Sequence, residues 1–406
     1  MEDHADWWSR PGLEYSGGRL QLAGRDLATL AWQTGTPAFF YDAARVRDKI
    51  EMLHQALGAR ELRFRLFYAM KANRFAPLLS WLAASGRCGI DACSPQELQF
   101  ALSCGFEESA ISYTATSMSN ADLDILARYP DVLVNLDSMS AIERLARRCP
   151  GRTIGLRINP ALGLGYADNE LLKYSGIDTT KFGIYREQLD ATLDLIERHG
   201  LGLVRIHFHV GIGYLSHQLP LWERIVMTCM EIVDRIGGIR AVNLGGGLGL
   251  PHAAGDQPLD LQAWAGVIER HIGSRGLEIA VEPGDFIVKD SGVLVLQVNG
   301  VEHKRDTLFV AVDGGFNLAI EPAFYGLPCE PLPCVAGPGD WDAERLQKVT
   351  IVGNINEALD VWARDKPLPA LREGDYLALI NAGGYASAMS SNHCMRGQFS
   401  ERLLLP

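Results

Sequence analysis

The feature that most constrains the fold is a regular alternation of short apolar runs with amphipathic segments between residues 37 and 285. Runs such as FRLFYAMK (64–71) and TIGLRINP (153–160) are rich in branched and aromatic residues, which favours β-strands. Segments such as LPLWERIVMTCMEIVDRIGG repeat apolar residues at three- and four-residue steps, which indicates helices with one buried face. Strands that alternate with helices predict βαβ units and a parallel sheet.

The number of candidate strands favours a closed (β/α)8 barrel. About eight strand–helix units over roughly 250 residues are typical of that fold, and a doubly wound open sheet is the alternative. The candidates are PAFFYD (37–42), FRLFYAMK (64–71), CGIDAC (88–93), ISYTA (111–115), VLVNLD (132–137), TIGLRINP (153–160), LVRIHFHV (203–210), AVNLGGG (241–247) and LEIAVEP (277–283). Because nine candidates exceed the eight strands of a barrel, we interpret PAFFYD as a strand that joins a second domain.

The pattern changes after about residue 285. The strand-like runs GVLVLQVNGVEH, TLFVAVDGG, QKVTIVGNI, DYLALINAGG and ERLLLP follow one another with few helical patterns. They predict an all-β C-terminal domain, a sandwich or barrel, which the strand-like segment before residue 37 is expected to complete. The predicted domains are a barrel over residues 37–285 and a β domain over residues 1–36 and 286–406.

Composition argues against several classes of protein. The chain has 406 residues, of which 47% are hydrophobic, so it can form a large core. A net charge of −11 gives no indication of nucleic-acid binding, and no apolar stretch reaches the ~18 residues of a membrane span. The N-terminus lacks the apolar region of a signal peptide, and the eight cysteines form no CxxC pair. We therefore expect a cytoplasmic protein with free thiols and no metal site.

Several of the predicted apolar strands end in a polar residue. The functional groups of parallel barrels lie at these C-terminal ends of strands. The candidates are Lys71, Asp91, Arg157, His209, Gly245, Gly246, Gly247 and Glu282. An apolar surrounding would favour the neutral amine of Lys71, which can attack an aldehyde, unless the side chain only reaches solvent. The glycines of LGGGLG let backbone N–H groups approach a phosphate, although such turns are common in α/β proteins.

Two further candidates have structural alternatives. Glu282 ends a strand and could hold the proton of a pyridinium ring, or it could cap the strand end. In HFHVGIG, His207 and His209 share one face of the strand, so His209 is a functional candidate, and a histidine satisfied within the core is the alternative. A paired-histidine metal site is poorly supported, because no further His, Asp or Glu lies at ligand spacing.

Taken together, these segments resemble the fold-type III, alanine racemase-like enzymes that use pyridoxal phosphate (PLP), and in particular the diaminopimelate and ornithine decarboxylase group. The resemblance runs from PAFFYD to the C-terminus through FYAMKAN, GIDACSPQEL, LRINP, KFGI, HFHVG, LGGGLG, EPG, VDGGFN and NAGGYA. It implies that Lys71 forms the Schiff base with PLP, that His209 stacks on the ring, and that Glu282 holds the pyridine nitrogen. The further cofactor contacts that it implies come from Asp91, Arg157, Gly245, Gly246, Gly247 and Tyr385.

The resemblance also implies a homodimer, in which the C-terminal domain of one subunit completes the active site of its partner. The expected partner is then a small-molecule amino-acid substrate. The substrate contacts that the resemblance implies fall on Asp285, Glu321, Tyr325, Glu357 and Asp360.

Two departures from the family pattern concern the substrate. The family usually has Arg after Glu-Pro-Gly, where this chain has Asp285, and diaminopimelate decarboxylases have Arg at the position of Glu321. Those arginines help to bind the distal carboxylate of diaminopimelate, and carboxylates cannot hold an anion in the same place. We therefore predict an atypical member that acts on a substrate with a cationic or neutral distal group. The alternative is that both acidic side chains point to solvent.

A third departure concerns the proton donor. In GNINEALD (353–360), Asn356 stands where many family decarboxylases have a cysteine, whereas Glu357 and Asp360 are retained. That cysteine is usually assigned as the donor of a proton to the substrate carbon, and a neutral amide is not a practical acid. Water, Lys71 after its release from PLP, His209 or Cys394 would then supply the proton.

The predicted function is a PLP-dependent decarboxylase that removes the α-carboxylate of an amino acid or an amino-acid-derived intermediate. One alternative is an amino-acid racemase or epimerase on the same fold. Another is a non-catalytic homologue that regulates a true decarboxylase, although a pseudoenzyme has no need for Lys71, His209, Glu282 and Tyr385. A third is a decarboxylase for a large precursor, such as a siderophore intermediate or a carrier-linked amino acid.

Overall fold

The computed structural model describes residues 7–176 and 178–406. Internal contacts divide the chain into two compact units. The first, the barrel unit, comprises Ile50–Leu250 and Gln257–Phe286. The second, the β unit, comprises Met1–Lys49, Pro251–Asp256 and Ile287–Pro406.

Short strands occur in both units, and most helices lie between strands of the barrel. The described strands are β1 (Leu13–Ser16), β2 (Arg19–Leu22), β3 (Arg25–Asp26), β4 (Ala38–Asp42), β5 (Phe64–Ala69), β6 (Gly89–Ala92), β7 (Ile111–Thr114), β8 (Leu133–Leu136), β9 (Thr153–Arg157), β10 (Gly202–His207), β11 (Ala241–Asn243), β12 (Glu278–Val281), β13 (Gly292–Lys304), β14 (Thr307–Val312), β15 (Pro331–Pro333), β16 (Gln347–Val352), β17 (Val361–Leu368), β18 (Tyr376–Leu379) and β19 (Ser400–Leu404). The described α-helices are α1 (Leu27–Thr34), α2 (Ala43–Gly58), α3 (Ala76–Ser85), α4 (Pro95–Ser103), α5 (Asn120–Leu126), α6 (Met139–Arg148), α7 (Leu189–Arg198), α8 (Leu219–Ile236), α9 (Leu261–His271), α10 (Asp285–Val288) and α11 (Glu321–Tyr325).

Strands β5 to β12 close into a parallel barrel in the order β10-β11-β12-β5-β6-β7-β8-β9. The closing pair β12–β5 aligns Ile279 with Phe64 and Val281 with Leu66. Each strand is short and apolar, and helices such as α8 bury one face, which includes Trp222. Parallel strands with helical crossovers are stable only when both faces are covered, which explains the continuous apolar runs in the sequence. The predicted (β/α)8 barrel is confirmed.

The barrel strands end slightly earlier than the sequence pattern predicts. Strand β5 ends at Ala69 and β10 at His207, so Lys71 and His209 lie two residues beyond their strands. Glu282 follows the last residue of β12 directly. The candidate side chains therefore lie in the loops that follow the strands, which is where parallel barrels carry their active sites.

The ninth strand candidate is β4, and it belongs to the β unit. Strand β4 pairs antiparallel with β13 and parallel with β19, so PAFFYD joins the second domain as interpreted from the sequence. This pairing differs from the predicted start of the barrel domain at residue 37, because contacts assign the chain up to Lys49 to the β unit. The strand forms there because all five of its residues are buried between two partners.

The β unit contains a sheet in the order β15-β18-β13-β14-β16-β17, to which β4 and β19 are joined through β13. Strands β1, β2 and β3 form a separate antiparallel sheet, as the segment before residue 37 predicts. A buried cluster that includes Leu20, Phe40, Val293 and Val295 packs these segments together. The predicted all-β C-terminal domain is confirmed.

Two strands of the β unit were not predicted. Strand β15 has the sequence Pro-Leu-Pro, and prolines usually argue against a strand because they cannot donate to a ladder. Strand β17 carries the charged run Arg364–Lys366 and lies at the end of the sheet order, where charged residues are tolerated. In both cases the segment forms a strand because it pairs with a neighbouring strand, and not because of its local sequence pattern.

In the described part of the chain, no helix combines the length and the apolar character that a membrane crossing requires.

A buried carboxylate anchors the start of the β13 segment within the β unit. Asp290 Oδ2 lies 2.6 Å from Arg45 and 3.1 Å from Lys49 Nζ, and Arg10 donates to the Asp290 carbonyl oxygen at 2.6 Å and 2.9 Å. Burial alone would raise the pKa of Asp290, but the charges of Lys49, Arg10 and Arg45 lower it. Burial also lowers the pKa of Lys49 to about 8 despite the attraction of Asp290. The cluster is stable only while the negative charge is present.

We predict that Asp290→Asn lowers the free energy of unfolding by about 3–5 kcal/mol, because it removes the buried charge that offsets Lys49 and Arg45. Urea denaturation followed by circular dichroism measures this change. Asp48→Asn is the matched control, since Asp48 pairs with Arg47 at the surface and each side chain is about half exposed. The control should change stability by less than about 0.5 kcal/mol. Equal effects of the two substitutions would contradict the account.

Candidate active site

The barrel unit carries a buried carboxylate at the end of β12. Glu282 Oε1 accepts hydrogen bonds from Ser112 Oγ at 2.7 Å and from Asn243 Nδ2 at 2.5 Å. Glu282 Oε2 lies 2.9 Å from His207 Nε2. Ser112, Asn243 and His207 come from β7, β11 and β10, so three different strands hold one carboxylate.

These contacts keep Glu282 ionised. Burial alone would raise its pKa, but its interactions with His207, Ser112 and Asn243 lower it to about 2. Hydrogen bonds to the charged form of a carboxylate stabilise that form. At neutral pH Glu282 is therefore negatively charged and can accept a hydrogen bond from a protonated group.

His209 follows β10 and is oriented by two neighbours. Its ring centroid lies 5.0 Å from the ring centroid of Tyr174, and its Nδ1 accepts a hydrogen bond from the Gly246 N–H at 3.3 Å. Burial, followed by the positive charges of Lys71 and Arg157, lowers the pKa of His209 well below its usual value. The imidazole is therefore neutral at pH 7, and its proton resides on Nε2 because Nδ1 is an acceptor.

The glycine loop after β11 is shaped by close packing. Gly245 and Gly247 have φ angles of +63° and +97°, and a Cβ on Gly246 would clash with the carbonyl oxygen of Glu282. The N–H groups of Gly245 and Gly246 already donate to Asn243 Oδ1 and His209 Nδ1. Of the three N–H groups predicted to bind phosphate, two are thus engaged by the protein.

Lys71 lies in the same electrostatic environment as the predicted cofactor residues. Its ammonium lowers the pKa of His209 and opposes the rise in pKa that burial causes in Asp91 and Glu97. For Asp91, burial and then the charge of Glu282 dominate, and its pKa lies well above the usual value. Asp91 Oδ1 has no hydrogen-bond partner among the described residues. A buried oxygen of this kind is expected to meet a donor on a bound molecule.

Arg157, at the end of β9, is a second cation in this region. Its guanidinium lies 4.7 Å from the ring centroid of Phe182, in the KFGI segment. Burial lowers the pKa of Arg157, and the carboxylate of Asp137 opposes this change. The guanidinium remains charged, and no described residue accepts a hydrogen bond from it. Arg157 can therefore bind an anionic oxygen of a ligand.

The remaining predicted residues belong to the β unit, except Asp285, which is buried at the start of α10 in the barrel unit. Tyr385 adopts a φ of +52°, and its ring centroid lies 6.0 Å from Lys289 Nζ. Glu321 Oε2 lies 2.6 Å from the same Lys289 Nζ, and both side chains are buried. The charge of Glu321 is therefore offset within its own unit, which weakens the inference that it selects a cationic group.

The GNINEALD segment divides into a structural and an exposed part. Asp360 accepts hydrogen bonds from the N–H of Phe316 at 2.7 Å and of Ile355 at 2.6 Å, so both of its oxygens are engaged by the backbone. Asn356 and Glu357 are exposed, and Glu357 lies 3.3 Å from His393. Their predicted roles in proton transfer and substrate binding stay predictions, as does that of Tyr325, which is partly exposed in α11. Cys394 is exposed.

Comparison with known proteins decides the family. The family model described as pyridoxal-dependent decarboxylase, pyridoxal binding domain, matches residues 43–289, which is more than half of the chain. The chain belongs to the pyridoxal-dependent decarboxylases. It is a PLP-dependent amino-acid decarboxylase, and PLP is its cofactor.

Full-length relatives agree with this family. The diaminopimelate decarboxylase of Methanothermobacter thermautotrophicus is 33% identical over 400 residues, which are 95% of this chain and 91% of the relative. The diaminopimelate decarboxylase of Escherichia coli K12 is 30% identical over 404 residues, with coverage of 95% and 91%. A crystal structure of a diaminopimelate decarboxylase shares 30% identity and superposes with a TM-score of 0.83, covering 93% of this chain and 91% of the other.

The barrel unit of this decarboxylase fits PLP chemically. An ionised carboxylate, Glu282, suits a protonated pyridine nitrogen, and Arg157 offers donors that no described residue uses. Asp91 Oδ1 is buried without a partner, and the N–H of Gly247 donates to no described atom. A pyridine ring with a phosphate and a phenolic oxygen can use each of these groups.

Sequence reasoning missed three polar residues of the barrel interior. Ser112 and Asn243 donate to Glu282, and Asn135 Nδ2 donates to Thr114 Oγ1 at 2.8 Å and to Ser112 Oγ at 3.3 Å. The available signal is that ISYTA, VLVNLD and AVNLGGG each carry polar residues within otherwise apolar strands. Because successive residues of a strand face opposite sides, such residues at inward positions predict a polar centre.

We predict that Lys71→Ala abolishes the absorbance band of lysine-bound PLP and prevents reductive fixation of the cofactor by borohydride, because the covalent link needs this amine. Spectra of the purified, PLP-treated variant measure both effects. Lys304→Ala, at an exposed lysine, is the control and should behave as the wild type. A Lys71→Ala protein that retains covalent PLP would show that another lysine carries the cofactor.

Proposed function

We propose that this decarboxylase removes the α-carboxylate of an amino acid or an amino-acid-derived intermediate, with Lys71, His209 and Glu282 as its catalytic residues. The observation that carries the proposal is the buried, ionised Glu282 carboxylate with three donors. When bound, PLP supplies an electron sink for the electrons that remain on the substrate carbon after CO2 leaves. A carboxylate that stays ionised at neutral pH is suited to hold the proton on the ring nitrogen, which strengthens that sink.

The other residues have complementary roles in the proposal. Lys71 would hold the cofactor through its side-chain amine. The neutral His209 imidazole, fixed by Gly246 and Tyr174, offers a flat surface on which the ring stacks. Arg157 and the N–H of Gly247 supply donors to cofactor oxygens. In the β unit, Tyr385 is proposed as a phosphate contact, as the family resemblance implies.

The low pKa of His209 bears on the choice of proton donor. A histidine that is neutral at pH 7 lacks the imidazolium proton, so it is a weak acid in its own right. Cys394 is exposed and belongs to the β unit. We therefore favour the Lys71 ammonium, or water, as the group that protonates the substrate carbon in place of the family cysteine.

We propose that the substrate differs from diaminopimelate at its distal group, which makes the chain an atypical family member. By the family resemblance, Asp285 and Glu321 stand where arginines are expected, and neither carboxylate can hold the carboxylate of a substrate. Lys289 offsets the charge of Glu321. A neutral hydrogen-bonding group of the substrate, such as an amide, therefore suits the Lys289–Glu321 pair better than a bare cation. The comparisons favour decarboxylation over the racemase and the regulatory alternatives.

Diaminopimelate is the second candidate substrate. Relatives of at least 30% identity, among them those of Methanothermobacter thermautotrophicus and Escherichia coli K12, are named diaminopimelate decarboxylase. The buried Lys289 also keeps a cation in the β unit. The two candidates differ in how the distal carboxylate of the substrate would be bound.

We predict that the enzyme releases CO2 from an amino acid with an amide or amine at its distal end at least ~10-fold more efficiently than from meso-diaminopimelate, since a charged hydrogen-bond clamp contributes about that factor or more. Labelled CO2 release across glutamine, lysine, ornithine, glutamate and meso-diaminopimelate measures kcat/KM for each. The Lys71→Ala protein provides the background. Preferential turnover of meso-diaminopimelate would contradict the first candidate and support the second.

A further inference from the structure

His207 is the last residue of β10 and is 1% exposed inside the barrel unit. Its Nε2 lies 2.9 Å from Glu282 Oε2, whereas its Nδ1 has no hydrogen-bond partner among the described residues. Among the described residues, His207 is the one that donates to Oε2, while Ser112 and Asn243 both donate to Oε1. The orientation of the carboxylate therefore depends on His207 at one of its two oxygens.

The contact geometry defines the protonation of this pair. An ionised carboxylate only accepts hydrogen bonds, so the proton of the imidazole must reside on Nε2. A second proton on Nδ1 would be buried without an acceptor, which is unfavourable. Burial accordingly lowers the pKa of His207, although the charge of Glu282 opposes this change. The pair consists of a neutral donor and an anion.

We propose that His207 is a positioning residue, whose neutral Nε2–H fixes the Glu282 carboxylate while leaving its full negative charge for the ring nitrogen of PLP. This inference rests on the proposed function, in which Glu282 holds the proton of that nitrogen. An imidazolium in the same place would offset the carboxylate and weaken its hold on the ring proton. A neutral histidine orients the carboxylate without this loss.

The same hydrogen-bond network explains why polar side chains lie inside the barrel next to Glu282. Asn135 donates to Ser112 Oγ, and Ser112 donates to Glu282, so the hydroxyl hydrogen is directed toward the carboxylate. Donors that accept hydrogen bonds themselves become stronger donors. His207 supplies the corresponding donor to the other oxygen, Glu282 Oε2, and no other described side chain donates to that oxygen.

Two variants of nearly equal size separate positioning from packing. In His207→Gln the side-chain amide can place an N–H where Nε2 lies, whereas in His207→Asn the shorter amide lies near the position of Nδ1 and cannot reach Glu282. His207→Leu removes both groups. Thr192→Val is the control, because the Thr192 side chain is buried in α7 and donates to the Gln188 carbonyl oxygen at 2.7 Å, outside the hydrogen bonds around Glu282. Glu282→Gln tests the proposed function itself.

The measurements are steady-state kinetics with the best substrate of the CO2 screen, PLP binding to the apoprotein by fluorescence titration, the absorbance spectrum of the bound cofactor, and thermal unfolding. We expect His207→Asn and His207→Leu to lower kcat by about 10–100-fold with a much smaller change in KM. Their spectra should shift toward that of Glu282→Gln, and PLP binding should weaken. His207→Gln should recover most of kcat, and Thr192→Val should lose less than about 3-fold.

If His207→Asn folds and retains kcat and the wild-type spectrum while Glu282→Gln is impaired, His207 has no positioning role and the proposed function stands. If Glu282→Gln itself retains kcat and the spectrum, the role of Glu282 in the proposed function fails. Equal losses in the Gln and Asn variants would also overturn the inference, because they would indicate packing and not donation of a hydrogen bond.

Discussion

The carboxylate of Glu282, held by hydrogen bonds from three strands, is the interaction on which the proposed chemistry of the barrel unit depends. An ion inside a closed barrel is unfavourable unless donors replace the water that it loses. Ser112, Asn243 and His207 provide those donors from β7, β11 and β10, and the result is an anion whose pKa falls to about 2. The alignment of the barrel strands thus places three donors around one carboxylate, which keeps the carboxylate negatively charged.

The neighbouring groups extend this electrostatic arrangement. His207 and His209 are both driven toward the neutral form by burial, so neither offsets the charge of Glu282. Lys71 and Arg157 supply the positive charges, and Asp91 is driven toward its protonated form by burial and by Glu282. Burial and neighbouring charges thus shift the pKa values of Glu282 and Asp91 in opposite directions, although two carboxyl groups have similar pKa values in water.

The sequence predicted the barrel because its strands are continuous apolar runs, and it predicted Lys71 and Glu282 because single charged residues end those runs. It could not predict the partners of Glu282, since Ser112 and His207 are 95 residues apart in the chain and meet only when the barrel closes. Strand β17 was missed for a related reason, as its polar run becomes a strand only against β16. The local sequence pattern predicts individual strands and helices. The hydrogen bonds to Glu282 depend instead on which strands pair when the barrel closes.

The same limit applies to the charges of the β unit. Lys289 and Asp290 are adjacent and both buried, yet each is compensated by a different segment, Lys289 by Glu321 and Asp290 by Lys49 and Arg45. Reading Glu321 alone suggested an acidic substrate-facing surface. The structure shows that Lys289 offsets the charge of Glu321, so Glu321 does not present an uncompensated negative charge.

The most direct test of this account is the 15N NMR chemical shift of PLP labelled at the ring nitrogen and bound to the intact enzyme. A carboxylate that stays ionised down to acidic pH should keep the ring nitrogen protonated across the stable pH range. We predict a pyridinium shift that does not change between about pH 6 and pH 9. The shift of an unprotonated pyridine nitrogen in that range would contradict the assignment of Glu282 as the residue that holds the ring proton.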